Sequence, residues 1–289
     1  MQFYIDSSDI DEIREIHSSG LLAGITTNPS LLKKALAKHK LKNIDTYINH
    51  ILELVGPNVK VSLQVPGKKP DAETLIEEGM KLYKYFNPIN ENVVIKIPVN
   101  PSLKESNDHY GQGLMAIREL SSQKIPVNTT LVMKPEQAVL AALAGASYVS
   151  PFLGRLDDYI REVGGKGFKK EDYFPVAGIK YDGISASLVG KIINDNGVVS
   201  GVNLVERIKG EFAKRNLDTK ILAASVRNAR QVEELWKIGP DIASLPYEVF
   251  KEAVYLMKGM LFHEKTLEGM RKFVDDVPDS YSELLNIIK

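Results

Sequence analysis

No cysteine occurs in the 289 residues, which excludes disulfides, thiolate nucleophiles and cysteine-ligated zinc or iron–sulfur centres. Charge of one sign is lacking too: 37 basic residues balance 37 acidic ones, for a formal net charge of +0. A nucleic-acid binder needs a basic surface to neutralise phosphates, and this balance argues against one. No apolar run reaches about 18 residues, the length at which a membrane helix becomes a candidate. The opening MQFYIDSSDID has neither a basic lead nor an apolar segment, so no secretory signal is read there. No GxGxxG follows a strand-like run, and no fixed repeat or low-complexity tract occurs. The expectation is a soluble cytoplasmic protein with no nucleic-acid or membrane partner.

What is present is ordinary globular composition, 44% hydrophobic and 26% charged, in a regular alternation of two patterns. Short apolar runs stand at residues 2–6, 24–28, 60–65, 92–99, 126–132, 148–152, 220–226 and 241–245. Between them lie stretches with apolar residues at helical spacing. Asp9, Asp11 and Glu12 give one such stretch an acidic start, and Pro29 after Asn28 opens another. Residues 135–145 and 228–239 each end on a glycine, a helix stop. Eight strands alternating with helices over about 250 residues fit a (β/α)8 TIM barrel, with an open doubly wound sheet as the rival architecture.

The spacing breaks once. Between Arg155 and Lys220 lie too many residues for one helix and its loops, and residues 202–215 already read as the barrel helix before the seventh strand. Residues at about 159–199 therefore read as an insertion after strand six, within a single domain covering residues 1–289. Gly164-Gly165-Lys166-Gly167 inside it matches no phosphate-loop spacing and reads as a flexible loop. Residues 247–260 read as a last barrel helix, and a helical extension is expected at about 261–289.

Residues i and i+2 of a strand share a face. On that rule the fourth strand is apolar except for Lys96, on one face with Val94 and Pro98. A buried lysine has a depressed pKa and so offers a neutral amine, able to attack a carbonyl; a structural ion pair or an amine reaching solvent is the alternative. The neighbouring strands carry polar residues near their C-terminal ends as well: Asp6, Thr26 and Asn28, Gln64, Asn128 and Thr130, Ser150, Ser225 and Arg227. Barrel active sites are built at that end. Taken singly, each has a plainer reading. Asp6-Ser7-Ser8-Asp9 suits a helix cap, Thr26 and Asn28 suit a turn, Arg227 suits a polar strand terminus, and Arg155 suits an ion pair with Asp157 or Asp158. His17, His39, His50, His109 and His263 are scattered over helical or loop stretches, against the clustered ligands of a metal-dependent aldolase.

The motifs GITTNPSLL at 24–32, VVIKIPV around Lys96, NTTLV, SPFLGRLDD and AASVRN occur in that order. Together they resemble the transaldolase family, especially its short branch shared with fructose-6-phosphate aldolases, over about residues 1–158 and 200–250. The resemblance implies a metal-independent class I mechanism, without a cofactor, on phosphorylated sugars. It makes Lys96 the Schiff-base lysine, Asp6 the acid–base group, and Thr130 and Gln64 partners of the catalytic water. Thr26, Asn28, Asn128 and Ser150 would bind the dihydroxyacetone unit, and Arg155, Ser225 and Arg227 the phosphate. Phe152 matches the transaldolases, whereas the aldolases carry tyrosine there; Gln64 matches the aldolases, whereas transaldolases carry glutamate. The expectation is a transaldolase, with fructose-6-phosphate aldolase as the alternative and a non-catalytic phosphate-binding barrel as the remote one. The family's habit of forming rings implies a homo-oligomer.

Overall fold

The computed structural model describes residues 1–102, 111–163, 198–255 and 263–278. Eight parallel strands close into a barrel: β1 (Gln2–Ile5), β2 (Leu22–Thr26), β3 (Lys60–Gln64), β4 (Val93–Pro98), β5 (Val127–Val132), β6 (Tyr148–Pro151), β7 (Lys220–Ala223) and β8 (Ile242–Leu245). β8 pairs with β1 from Gln2 opposite Ile242 to Ile5 opposite Leu245, which is the contact that closes the sheet. The open-sheet alternative is therefore excluded. No described helix is long and apolar enough to cross a membrane.

Alternation along each strand separates two cores. Ile5, Ile25, Val61, Leu63, Val93, Ile95, Ile97, Val127 and Val149 face outward into the large cluster shared with the surrounding helices. Tyr4, Leu222, Ala224 and Ile242 face inward, with Tyr148 and Phe152 packed on them. Each fully buried aliphatic side chain contributes about 1.5–3 kcal/mol from removal of apolar surface. Gly24 is required where Tyr4 crosses the lumen, since a Cβ there would stand 2.3 Å from the Tyr4 ring. The aromatic layer plugs the lower barrel and leaves the strands' C-terminal ends as the polar mouth.

The helices on the outer layer are α1 (Ile10–Ser18), α2 (Pro29–Lys38), α3 (Ile44–Val55), α4 (Ala72–Phe86), α5 (Gln112–Ser122) and α6 (Pro135–Leu143). They continue with α7 (Leu153–Val163), α8 (Gly201–Arg215), α9 (Ala229–Ile238), α10 (Tyr247–Phe250) and α11 (His263–Asp275). Side chains of Asp9, Asn28, Asp71, Ser200 and Asn228 each accept a backbone N–H at the first turn of α1, α2, α4, α8 and α9, satisfying donors that a helix start leaves open.

Three boundaries differ from the sequence expectation. β7 ends at Ala223, not Val226, because Ser225 takes a left-handed φ of 61° that stops the extended run. Residues 159–163 of the expected insertion are the end of α7, whose apolar face buries Leu153, Leu156 and Ile160; residues 164–197, with the glycine-rich loop, lie outside the described residues. The last barrel helix is regular only over Tyr247–Phe250 and widens to a π turn over Lys251–Tyr255. Residues 256–262 and 279–289 lie outside the description, so the expected C-terminal extension is described through α11 and on to residue 278.

Candidate active site

Strand register assembles the mouth. Gln64 pairs with Lys96, and Lys96 with Asn128, so three polar residues from β3, β4 and β5 stand side by side on the inner face. Asp6, Thr26, Asn28, Lys96, Ser150, Phe152, Arg155, Ala224 and Ser225 line one cavity of about 120 Å³. Eight of the twelve residues singled out from sequence are thus brought to one wall-to-wall space, joined by Ala224. A larger groove between α6 and α8, about 790 Å³, holds none of them.

Lys96 is 4% exposed, and its Nζ donates to the Thr27 carbonyl oxygen at 3.2 Å. Burial pulls its pKa below the ordinary lysine value; the Asp6 charge opposes that shift and the Arg155 charge adds to it. The same burial pushes the Asp6 carboxyl up, against the lowering effects of Lys96, the Thr26 hydroxyl and Arg155. An amine and a carboxyl with convergent pKa values in one cavity are what proton-transfer chemistry near neutrality needs.

Asp6 does not cap α1. Asp9 does, accepting from Asp11 N at 3.0 Å, while Asp6 Oδ1 accepts the Thr26 hydroxyl at 2.8 Å. Asn28 combines both readings: its Oδ1 caps α2 at Leu31 N, 3.0 Å, and the residue also lines the cavity. Ser150 Oγ donates to Asn128 Oδ1 at 2.7 Å, and Asn128 Nδ2 donates to Ser62 Oγ at 3.4 Å. Asn128 is thus buried on the inner face and holds Ser150, which lines the space. Thr130 Oγ1 is buried with no hydrogen-bond partner among the described residues.

The two arginines part company. Arg155 is exposed at the rim, its guanidinium 5.3 Å from the Phe152 ring centroid; it carries no ion pair with Asp157 or Asp158 among the described contacts. Arg227 instead turns to Asp158, Nη2 to Oδ2 at 2.5 Å, and does not line the cavity. Asp157 is fully buried and accepts the Gly201 N–H at 2.7 Å. Gly154 makes this packing possible, since a Cβ there would lie 1.9 Å from Arg227 Nε and 2.5 Å from the Ser225 carbonyl.

Ser244 and Ser62 escaped the sequence reading. Ser244 is 1% exposed inside β8, with its Oγ 2.5 Å from Thr26 Oγ1. The available signal was its parity in the run from Ile242 to Leu245, which places it on the inward face. Among the described residues one set of possible metal ligands clusters, Asp9, Asp11 and His39. Lys38 already neutralises Asp9 there, at 2.5 Å.

Residues 3–284 match the family described as Transaldolase/Fructose-6-phosphate aldolase. A probable transaldolase of Aquifex aeolicus is 36% identical over 277 residues, covering 96% of each chain. A probable transaldolase of Syntrophobacter fumaroxidans is 34% identical over 276 residues, again covering 96% of each. A solved structure of a putative isomerase from Sinorhizobium meliloti shares the fold, with a TM-score of 0.50 at 8% identity over 89% of this chain and 54% of the other.

Proposed function

The chain belongs to the transaldolase/fructose-6-phosphate aldolase family, and we propose that within it the protein is a class I transaldolase. On this reading it moves a dihydroxyacetone unit from a ketose phosphate, such as fructose 6-phosphate or sedoheptulose 7-phosphate, to an aldose phosphate. The observation that carries the proposal is Lys96, an almost fully buried amine tethered to the Thr27 carbonyl, in a cavity that also holds Asp6. A neutral amine can donate one N–H to Thr27 and still present its lone pair to a ketone.

The sequence of steps follows from those groups. Lys96 adds to the C2 carbonyl, and loss of water leaves an iminium. Asp6 takes the C4 hydroxyl proton as the C3–C4 bond breaks; the bond pair moves into the iminium, giving an enamine, and the aldose phosphate leaves. The enamine carbon then attacks the acceptor aldehyde, Asp6 returns the proton to the new C4 oxygen, and water releases the ketose from Lys96. Thr26, Asn28 and Ser150 hold the three-carbon unit, with Asn128 fixing Ser150. Thr130, whose hydroxyl lacks a partner among the described residues, and Gln64 serve the water that adds and leaves. Arg155 and Ser225 meet the phosphate at the rim, with Arg227 behind them.

Phe152 favours transfer over free cleavage. Quenching the enamine needs a proton donor within hydrogen-bond reach, and a phenyl ring has none. Gln64 lacks the carboxylate charge of the transaldolases and lowers the rate. The protein acts in the cytoplasm and as an oligomer on this reading, and α11 supports the second point by exposing Leu267, Met270, Phe273 and Val274.

The test uses fructose 6-phosphate and borohydride, followed by peptide mass. A reduced adduct is expected on Lys96, absent in Lys96→Ala and in Lys96→Arg, whose guanidinium stays protonated. Release of glyceraldehyde 3-phosphate should require erythrose 4-phosphate. Equal release without that acceptor makes the protein an aldolase, and substrate binding with no adduct makes it a non-catalytic phosphate-binding barrel.

A further inference from the structure

The inner wall of the barrel carries, on β8, a hydroxyl two hydrogen bonds from Asp6 to which no step has been given. Ser244 lies on β8, 1% exposed, and its Oγ stands 2.5 Å from Thr26 Oγ1. Thr26 Oγ1 in turn stands 2.8 Å from Asp6 Oδ1. An ionised carboxylate can only accept, so Thr26 spends its single proton on Asp6. The short contact to Ser244 then has one possible direction: Ser244 donates and Thr26 accepts. Three side chains on three adjacent strands, β8, β2 and β1, form a chain with a fixed polarity.

We infer that Ser244 is a positioning residue for the proton-transfer step: acting through Thr26, it aims and polarises the hydroxyl that Asp6 Oδ1 accepts, leaving Oδ2 for the substrate hydroxyl. Successive hydrogen bonds strengthen one another by about 10–30% per bond in a low-dielectric interior. The same chain favours the charged carboxylate, because hydrogen bonds to an ionised group are stronger than those to a neutral one. Burial works in the opposite sense on Asp6, and a general base must be ionised to take a proton. The groups facing Asp6 are Thr26 from β2, Lys96 from β4 and Arg155 from the start of α7. Arg155 also favours the carboxylate, and so does Lys96 while its nitrogen is charged, as ammonium or as iminium; that contribution is lost in the neutral attacking amine and in the enamine. The hydroxyl chain keeps its effect throughout the cycle.

The inference rests on the proposed role of Asp6, and the experiment separates the two. The first measurement is the carboxyl carbon-13 titration of Asp6 in the ligand-free protein, assigned with Asp6→Asn. Ser244→Ala should raise the apparent pKa by about half a unit, the size expected from losing the cooperative share of one charge-assisted bond. Ser244→Thr, which keeps the donor, should return it to the parent value. The second measurement is the pH profile of kcat/KM, whose acid limb should move up with the same variant while the Lys96 adduct still forms. Ser244→Cys, a near-isosteric weak donor, takes the place of alanine if Ser244→Ala does not fold. An unchanged or lowered Asp6 titration, or a threonine variant that behaves like alanine, overturns the inference. A shifted titration with no adduct in the parent upholds the hydroxyl chain and overturns the Schiff-base function instead.

Discussion

Lys96 and Asp6 are each placed where burial opposes their charge, and both therefore cost stability at neutral pH. The sign for Lys96 is that its folded pKa lies below the unfolded one, so the penalty is full at low pH and fades as pH rises towards the ordinary lysine value. For Asp6 the folded pKa lies above the unfolded one, so the penalty is absent in acid and full once the folded carboxyl ionises. Neutral pH carries both. The double variant Asp6→Asn with Lys96→Met should be inactive yet more stable by about 1–2 kcal/mol at pH 7. Removing both partners avoids leaving one charge unpaired. Thermal unfolding at several pH values checks this: the gain should shrink towards pH 10, and a loss of Tm at pH 7 refutes it. The arginines give a second prediction. Arg155→Ala should weaken phosphate-bearing ligands by about 1.5–3 kcal/mol, the usual worth of a charge-assisted contact. Arg227→Ala should weaken them less, because its guanidinium is engaged by Asp158. Calorimetric titration with inorganic phosphate ranks the two. The reverse order would show that Arg227 exchanges Asp158 for phosphate.

At the scale of elements, the junction of β7 with α7 carries the most constraint. Leu153 N and Gly154 N donate to the Ala224 and Ser225 carbonyl oxygens, both at 2.9 Å. The first turn of α7 is thereby pinned to the end of β7. Ser225 stays in the cavity wall because its left-handed backbone turns the chain there. Gly154→Ala should break this docking, since its Cβ overlaps Arg227 Nε and the Ser225 carbonyl. The expected loss is about 1–3 kcal/mol, as for other overpacked sites, read from the denaturation midpoint, with weaker substrate binding through displaced Ser225 and Arg155. An unaltered midpoint would mean that α7 lifts off without cost. The element types were legible in the sequence because alternation and helical spacing are local. The end of β7 was not, because a left-handed serine leaves no signature in hydropathy.

For the whole molecule, the mouth is polar because the lumen is plugged from below. Tyr4 fills the space over Gly24, and Tyr148, Leu222 and Ile242 complete that layer. Outside the barrel, α11 turns Leu267, Met270, Phe273 and Val274 to solvent, with Phe273 69% exposed. An exposed apolar stripe of that kind is what the proposed oligomer rests on. Sedimentation should give an assembly larger than one 32.1 kDa chain, and Met270→Glu with Phe273→Glu should reduce it to the monomer. A parent that sediments as a monomer refutes this.

Sequence by itself determined the eight strands, the outward and inward alternation, and the run of polar residues at the strand ends with Lys96 among them. Each of these depends on neighbours within a few positions. Closure of the sheet, the pairing of Arg227 with Asp158 in place of an Arg155 pair, and the contact between Thr26 and Ser244 were decided only in three dimensions. Thr26 and Ser244 stand 218 positions apart, and β8 reaches β1 only after all eight strands have been laid down in order. Local periodicity says which face of a strand a side chain occupies; which side chain it meets there depends on barrel closure and strand stagger, which no local pattern carries.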